Sequence, residues 1–216
     1  MNFSPISYKI TPELDKQTGI FELDFTEEFL NHGIVPLEPS DIPFEPITNR
    51  ISGETKRKVY NIRENESPTG RFFHDYINQE LITKLISSSE ATVRFFNQKW
   101  PLNCTSEPDC IPRFIKGNIS VTNQLILDTE YVKMSPHIDN RFAFGILILN
   151  LKDNTNSTAF YKRYQEHGEP FYYAPTEFGK GIFFLNSENS THSIHNTANN
   201  RIISLTTCQI MLKNHR

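Results

Sequence analysis

Cysteine is scarce in this chain: three among 216 residues, with no C-x-x-C pair. An odd count without paired spacing argues against a disulfide framework and against a thiolate zinc site. Cys104 and Cys110 share one loop-like stretch, and the reduced state is the expectation for both. A basic-then-apolar leader is missing from Met1 to Ile10, so secretion is not expected and a cytoplasmic location is. No run approaches the roughly 18 apolar residues that a membrane span needs. Positive charge is not in excess, since Lys and Arg total 22 against 25 Asp and Glu, a net charge of −3. That balance excludes a general nucleic-acid binder. Tryptophan occurs once, and no stretch interleaves aromatic with basic residues as a single-strand binder does. Repeats and low-complexity segments are also lacking.

What the chain does have is phenylalanine, 17 residues of it, which suits strands and barrel interiors. Its length allows one domain with a sizeable core. Six prolines (Pro5, Pro12, Pro36, Pro39, Pro43, Pro46) break residues 1 to 60 into short apolar runs. They predict irregular wrapping packed on the core, with a short strand or helix near Phe21–Phe29. Within that region Lys56-Arg57-Lys58 reads as a solvated loop rather than a phosphate site. From Gly70 to Trp100 the apolar residues recur every three or four positions, as in Phe72, Phe73, Tyr76, Ile77, Leu81 and Leu85. This is the stripe of one or two scaffold helices.

After a loop over Pro101–Pro112 the pattern turns strand-like. Strands are expected over Asn118–Leu127, Tyr131–Met134, Phe142–Leu151, Thr158–Tyr164, Phe171–Tyr173, Gly181–Leu185 and Arg201–Leu212, separated by polar turns. Many short strands with no intervening helices predict a mainly β fold, a jelly roll behind a helical N-terminal layer. Residues 1–117 form the irregular and helical support in this reading, and residues 118–216 form the core.

The chemistry concentrates between Pro136 and Arg201. His137 and Asp139 sit one residue apart, so on extended backbone both face one way. His192 and His195 follow far downstream, and Arg201 opens the last strand. Two histidines and one carboxylate are the ligand set of a facial triad that leaves positions open on Fe(II). His192 and His195 are an odd number of residues apart, so the two are not expected on one metal. His32, His74, His167 and His215 have no spaced partners and are read as surface or core residues.

The set His137-X-Asp139, a distal histidine and then Arg201 resembles the Fe(II)- and 2-oxoglutarate-dependent oxygenase superfamily. The resemblance covers residues 118–212 and extends to the run Arg201-Ile202-Ile203-Ser204-Leu205. It implies a double-stranded β-helix core, cupin-like in outline, with His137, Asp139 and His192 as catalytic iron ligands. His192 is preferred over His195 because the family places its basic residue nine to ten positions beyond the distal histidine. Arg201 is then expected to hold 2-oxoglutarate, and O₂ is the second co-substrate. Many relatives carry a serine two residues after the arginine. Here that position is Ile203, so Asn123 or Tyr131 is expected to complete the co-substrate pocket. Arg141 is a candidate for an anionic substrate, although a structural ion pair explains it as well. The retained Asp139 favours hydroxylation, desaturation or cyclisation over halogenation.

The implied activity is oxidation of an unactivated C–H bond in a small metabolite, such as an amino acid or derivative. The absence of a basic groove disfavours DNA as substrate. A peptide or protein side chain stays open, because the compact core also resembles prolyl-hydroxylase-type members. Two further readings remain: a cupin-like jelly roll that binds a metal or ligand without oxygenation, and a structural domain in which the triad is coincidence. Only the first of all these readings explains Arg201. Oligomeric state and substrate identity are not encoded in any readable pattern.

Overall fold

The computed structural model describes residues 9–10, 19–47, 57–62, 68–73, 77, 119–129, 132–139, 143–162, 168–195 and 200–210. In chain order the elements are β1 (Lys9–Ile10), β2 (Phe21–Asp24), α1 (Thr26–Asn31), β3 (Glu45–Ile47), β4 (Arg57–Asn61) and α2 (Pro68–Phe72). They continue with β5 (Ile119–Asp128), β6 (Lys133–His137), β7 (Ala143–Asn150), β8 (Thr158–Tyr161), β9 (Tyr172–Tyr173), β10 (Lys180–Leu185), β11 (Thr191–His195) and β12 (Arg201–Ile210). Among the described residues no helix is long and apolar enough to cross a membrane.

The strands form two antiparallel sheets. The larger runs β1-β2-β10-β7-β12-β5-β4-β3 and the smaller β6-β11-β8-β9. From β5 onward the chain passes between them: β5, β7, β10 and β12 lie in the large sheet, and β6, β8, β9 and β11 in the small one. This winding makes the core a double-stranded β-helix, as the sequence leads one to expect. Every residue of β7 is buried, because the strand is central and covered on both faces.

Alternation along the central strands divides their side chains between two cores. Outside the large sheet, Leu125, Leu127, Leu147, Leu149 and Ile202 pack against Phe25, Phe29, Phe72 and Phe73. Edge-on ring pairs such as Phe29–Phe72, at 4.9 Å between centroids, knit this layer. Between the sheets, Ile126, Ile146, Ile148, Ile203 and Phe184 meet Phe160. A good part of the phenylalanine excess therefore serves the N-terminal layer, not the barrel interior alone.

Several expectations need correction here. The N-terminal region supplies strands β1 to β4 to the large sheet and is not merely irregular or helical. Both a strand and a helix form near Phe21–Phe29. Arg57 and Lys58, read as part of a solvated loop, instead begin β4 and pair with Asp128 and Leu127, while Lys56 lies outside the described residues. Most of the helical stripe beyond Phe73, and the Pro101–Pro112 loop with Cys104 and Cys110, lie outside the described residues.

One close approach is specific to glycine. Gly181 of β10 lies opposite Leu149 of β7, and a Cβ there would run into the Ile148 carbonyl oxygen and the Leu149 side chain. Gly181→Ala is expected to cost about 1–3 kcal/mol through overpacking. Urea unfolding checks this, and an unchanged midpoint would show that the sheet yields freely.

Candidate metal centre

Three potential ligands converge where β6 and β11 pair. His192 lies directly across from His137 in the ladder, so the rings stand side by side with centroids 4.5 Å apart. His192 is 4% exposed and is braced by Phe184 and Phe160, at 5.0 and 5.8 Å between centroids. In each histidine the Nδ1–H donates to a carbonyl two residues back, Ser135 at 2.8 Å and Ser190 at 3.1 Å. That bond fixes the tautomer and leaves Nε2 as the free donor atom.

Asp139 follows β6 on a turn held by Asn186. The Asp139 backbone N–H donates to Asn186 Oδ1 at 3.1 Å, while Asn186 Nδ2 donates to the Asp139 and Ala143 carbonyls at 3.2 and 3.0 Å. The carboxylate thereby faces both rings. Oδ2 lies 3.3 Å from His192 Nε2, and Oδ1 lies 3.8 Å from His137 Nε2.

The ligand atoms of His137, Asp139 and His192 all lie within 4.8 Å of one another. A cation with bonds of about 2.0–2.2 Å needs neighbouring ligand atoms about 3 Å apart, so small closures suffice. The donor set of two imidazoles and one carboxylate on one side suits Fe(II) with open positions. Burial alone would raise the Asp139 carboxyl. When the imidazoles are protonated, the hydrogen bond from His192 and the positive charges of His192 and His137, with that of Arg57, outweigh it and hold the group below its ordinary value; a bound cation would take the place of those protons. Burial, followed by the neighbouring His192, lowers the pKa of His137. Both shifts favour the deprotonated forms that bind a metal.

The triad opens onto a cavity of about 210 Å³ between the sheets. Ile126, Ile146, Ile148, Ile203 and Leu205 make much of the wall, and Arg57, Thr207 and Gln209 are its polar members apart from the triad. The volume leaves room for a small organic acid.

Arg201 lies at the end of the barrel away from Ala143 and Gln209, 3% exposed. Its Nη1 donates to Asp128 at 3.2 Å and its Nη2 to Thr158 Oγ1 at 3.0 Å. Burial lowers its pKa, and Asp128 opposes that effect. Asp128, fully buried, also accepts from Arg57, with Nε at 2.6 Å and Nη2 at 2.9 Å.

Asn123 does not reach the cavity. Its Oδ1 accepts from Thr206 Oγ1 at 2.8 Å, on the face of the sheet opposite Ile203, Leu205 and Thr207. The alternation of β5 and β12 sends it outward, which removes it as a co-substrate contact. Tyr131 and Arg141 lie outside the described residues. His195 is placed by its backbone, opposite Lys133. Reasoning from the sequence missed Arg57, Asp128, Thr158 and Asn186. Asn186 had only its position after the apolar strand to mark it.

Asn186→Ala is expected to weaken metal binding about 10- to 100-fold, the range for partners that orient ligands. Competition with a chromophoric chelator measures it, and unchanged affinity would mean that another contact holds the turn.

No family model and no curated protein matches the chain. Solved structures do share its fold. A prolyl-4-hydroxylase from Pseudomonas putida superposes with a TM-score of 0.54 at 13% identity, over 89% of this chain and 93% of that one. The non-heme alpha ketoglutarate dependent epimerase SnoN from nogalamycin biosynthesis gives 0.53 at 11% identity, over 90% of this chain and 78% of that one. SnoN in complex with Fe3+, alpha ketoglutarate and nogalamycin RO gives 0.50 at 10% identity. At such identities the likeness establishes the double-stranded β-helix of these oxygenases as the fold.

Proposed function

We propose that this double-stranded β-helix protein is an Fe(II)- and 2-oxoglutarate-dependent oxygenase that hydroxylates a C–H bond of a small organic molecule. The observation that carries the reading is the convergence of His137 Nε2, Asp139 and His192 Nε2 on one side of a largely apolar cavity. In this reading those three residues bind the iron. The overall change is R–H + O₂ + 2-oxoglutarate → R–OH + succinate + CO₂. O₂ is the oxidant in that change: bound iron would activate it, and 2-oxoglutarate, oxidised to succinate and CO₂, would supply two of the four electrons while the C–H bond supplies the other two.

The chain's own residues do the rest. Ser135 and Ser190 present the histidines in one tautomer through their carbonyls. Asn186 fixes the Asp139 turn. The isoleucine wall excludes water from the reacting face and so strengthens every charge interaction inside. The arginine pair around Asp128 supplies the positive end that a dicarboxylate needs. The Pseudomonas putida neighbour is named for prolyl hydroxylation and SnoN for epimerisation. The former supports oxidation as the reaction class and leaves a peptide-borne side chain as the alternative substrate.

Anaerobic titration with Fe(II) and 2-oxoglutarate tests the reading. A weak visible charge-transfer band is expected when both are present. Iron binding without any band would transfer the protein to the ligand-binding cupin-like class. Succinate release in the presence of free amino acids or of proline-containing peptides would then choose between the substrate classes.

A further inference from the structure

Resting on that reading, the geometry points to Arg57, not Arg201, as the residue that meets the distal carboxylate of the 2-oxo acid. Asp128 and Arg201 hold its guanidinium in position. Arg57 comes from β4, a strand added beside the eight that wind the barrel.

Three abreast positions make the case. Arg57 pairs with Asp128 across β4 and β5, and Asp128 pairs with Arg201 across β5 and β12. A positive, a negative and a positive side chain therefore form one row across three strands. Arg201 is committed on both terminal nitrogens, to Asp128 and Thr158, and is not part of the cavity wall. Arg57 is part of that wall, together with His137, Asp139 and His192. Its side chain keeps 24% of its surface exposed, against 3% for Arg201.

The mode of pairing leaves the right edge free. Arg57 grips Asp128 with Nε and Nη2, one side of a planar fork that carries five N–H donors. The end formed by Nη1 and the second Nη2 hydrogen stays available, and that end matches a carboxylate in two parallel bonds. The row carries two positive charges and one negative, so one anionic group is needed for balance. A distal carboxylate supplies it.

The test compares two ligands of the Fe(II)-loaded protein under anaerobic conditions. One is 2-oxoglutarate, and the other is 2-oxopentanoate, which keeps the chelating end and replaces the distal carboxylate by a methyl group. Arg57→Gln is expected to weaken 2-oxoglutarate on the order of 100-fold and 2-oxopentanoate hardly at all, with Arg57→Lys restoring part of the loss. Arg201→Met is expected to weaken 2-oxoglutarate less. Combined with Arg57→Gln it should add nothing, because Arg201 acts only through Arg57. If Arg57→Gln leaves the preference between the two acids intact, or if the double variant is about tenfold weaker again, Arg201 touches the carboxylate and the inference is overturned. Circular dichroism and metal affinity report whether each variant is folded. A parent protein that binds Fe(II) but neither acid would instead refute the oxygenase reading itself.

Discussion

Replacing His192 by alanine is expected to weaken Fe(II) binding by more than about 100-fold, above the 10- to 100-fold range for outer partners of a metal site. His195→Ala should stay within about threefold of the parent, as a residue outside the ligand set does. The ladder is the reason. His192 stands opposite His137, whereas the backbone of His195 stands opposite Lys133, at the other end of β6. His192 brings its imidazole Nε2 to 3.3 Å from Asp139. The His192 ring also fills space against Phe160 and Phe184, so some stability is lost with it, and a thermal melt should accompany the affinity measurement. Anaerobic calorimetry with Fe(II) decides the matter. Loss of iron in His195→Ala with retention in His192→Ala would reverse the assignment.

The residues of the triad were legible because their chemistry is local: a one-residue gap on extended backbone, and a histidine at a fixed interval before a basic strand opening. The boundaries around them were less so. The strand expected over Tyr131–Met134 stops short of Pro136, a residue that removes a ladder donor. The structure carries β6 through Pro136 to His137, which it can do because β6 is an edge of the small sheet and that donor is not needed. Asp128 ends an apolar run, and nothing in its neighbourhood marks it as a buried counter-charge. Arg57 lies 71 residues from Asp128 in a proline-rich region whose short strands show no period of their own. Such a pairing depends on register between distant strands, and no pattern in a window of the sequence contains it. The same applies to Asn186, which joins the end of β10 to the Asp139 turn across 47 residues.

Asp128→Ala is expected to lower the free energy of unfolding by about 3–5 kcal/mol, the cost of breaking a buried ion pair from one side. Two guanidinium groups would lose their shared carboxylate, and one of them is almost wholly enclosed. Arg201 Nε is buried without a hydrogen-bond partner among the described residues, so this arginine has little reserve of compensation. Against a typical total of about 5–15 kcal/mol, such a loss is large. Arg201→Met should be far milder, because Asp128 keeps the bidentate bonds from Arg57 and an apolar chain of similar volume suits the enclosed site. Removing both partners separates charge burial from loss of packing. The double variant Asp128→Ala/Arg201→Met is expected to be more stable than Asp128→Ala alone, a non-additivity that marks direct coupling. Urea unfolding of the four proteins supplies the cycle. A single Asp128→Ala variant within about 1 kcal/mol of the parent would mean that water already screens the row. Arg57 would then not be fixed by its neighbours, and the positioning of the cavity's cation would have to come from the ligand itself.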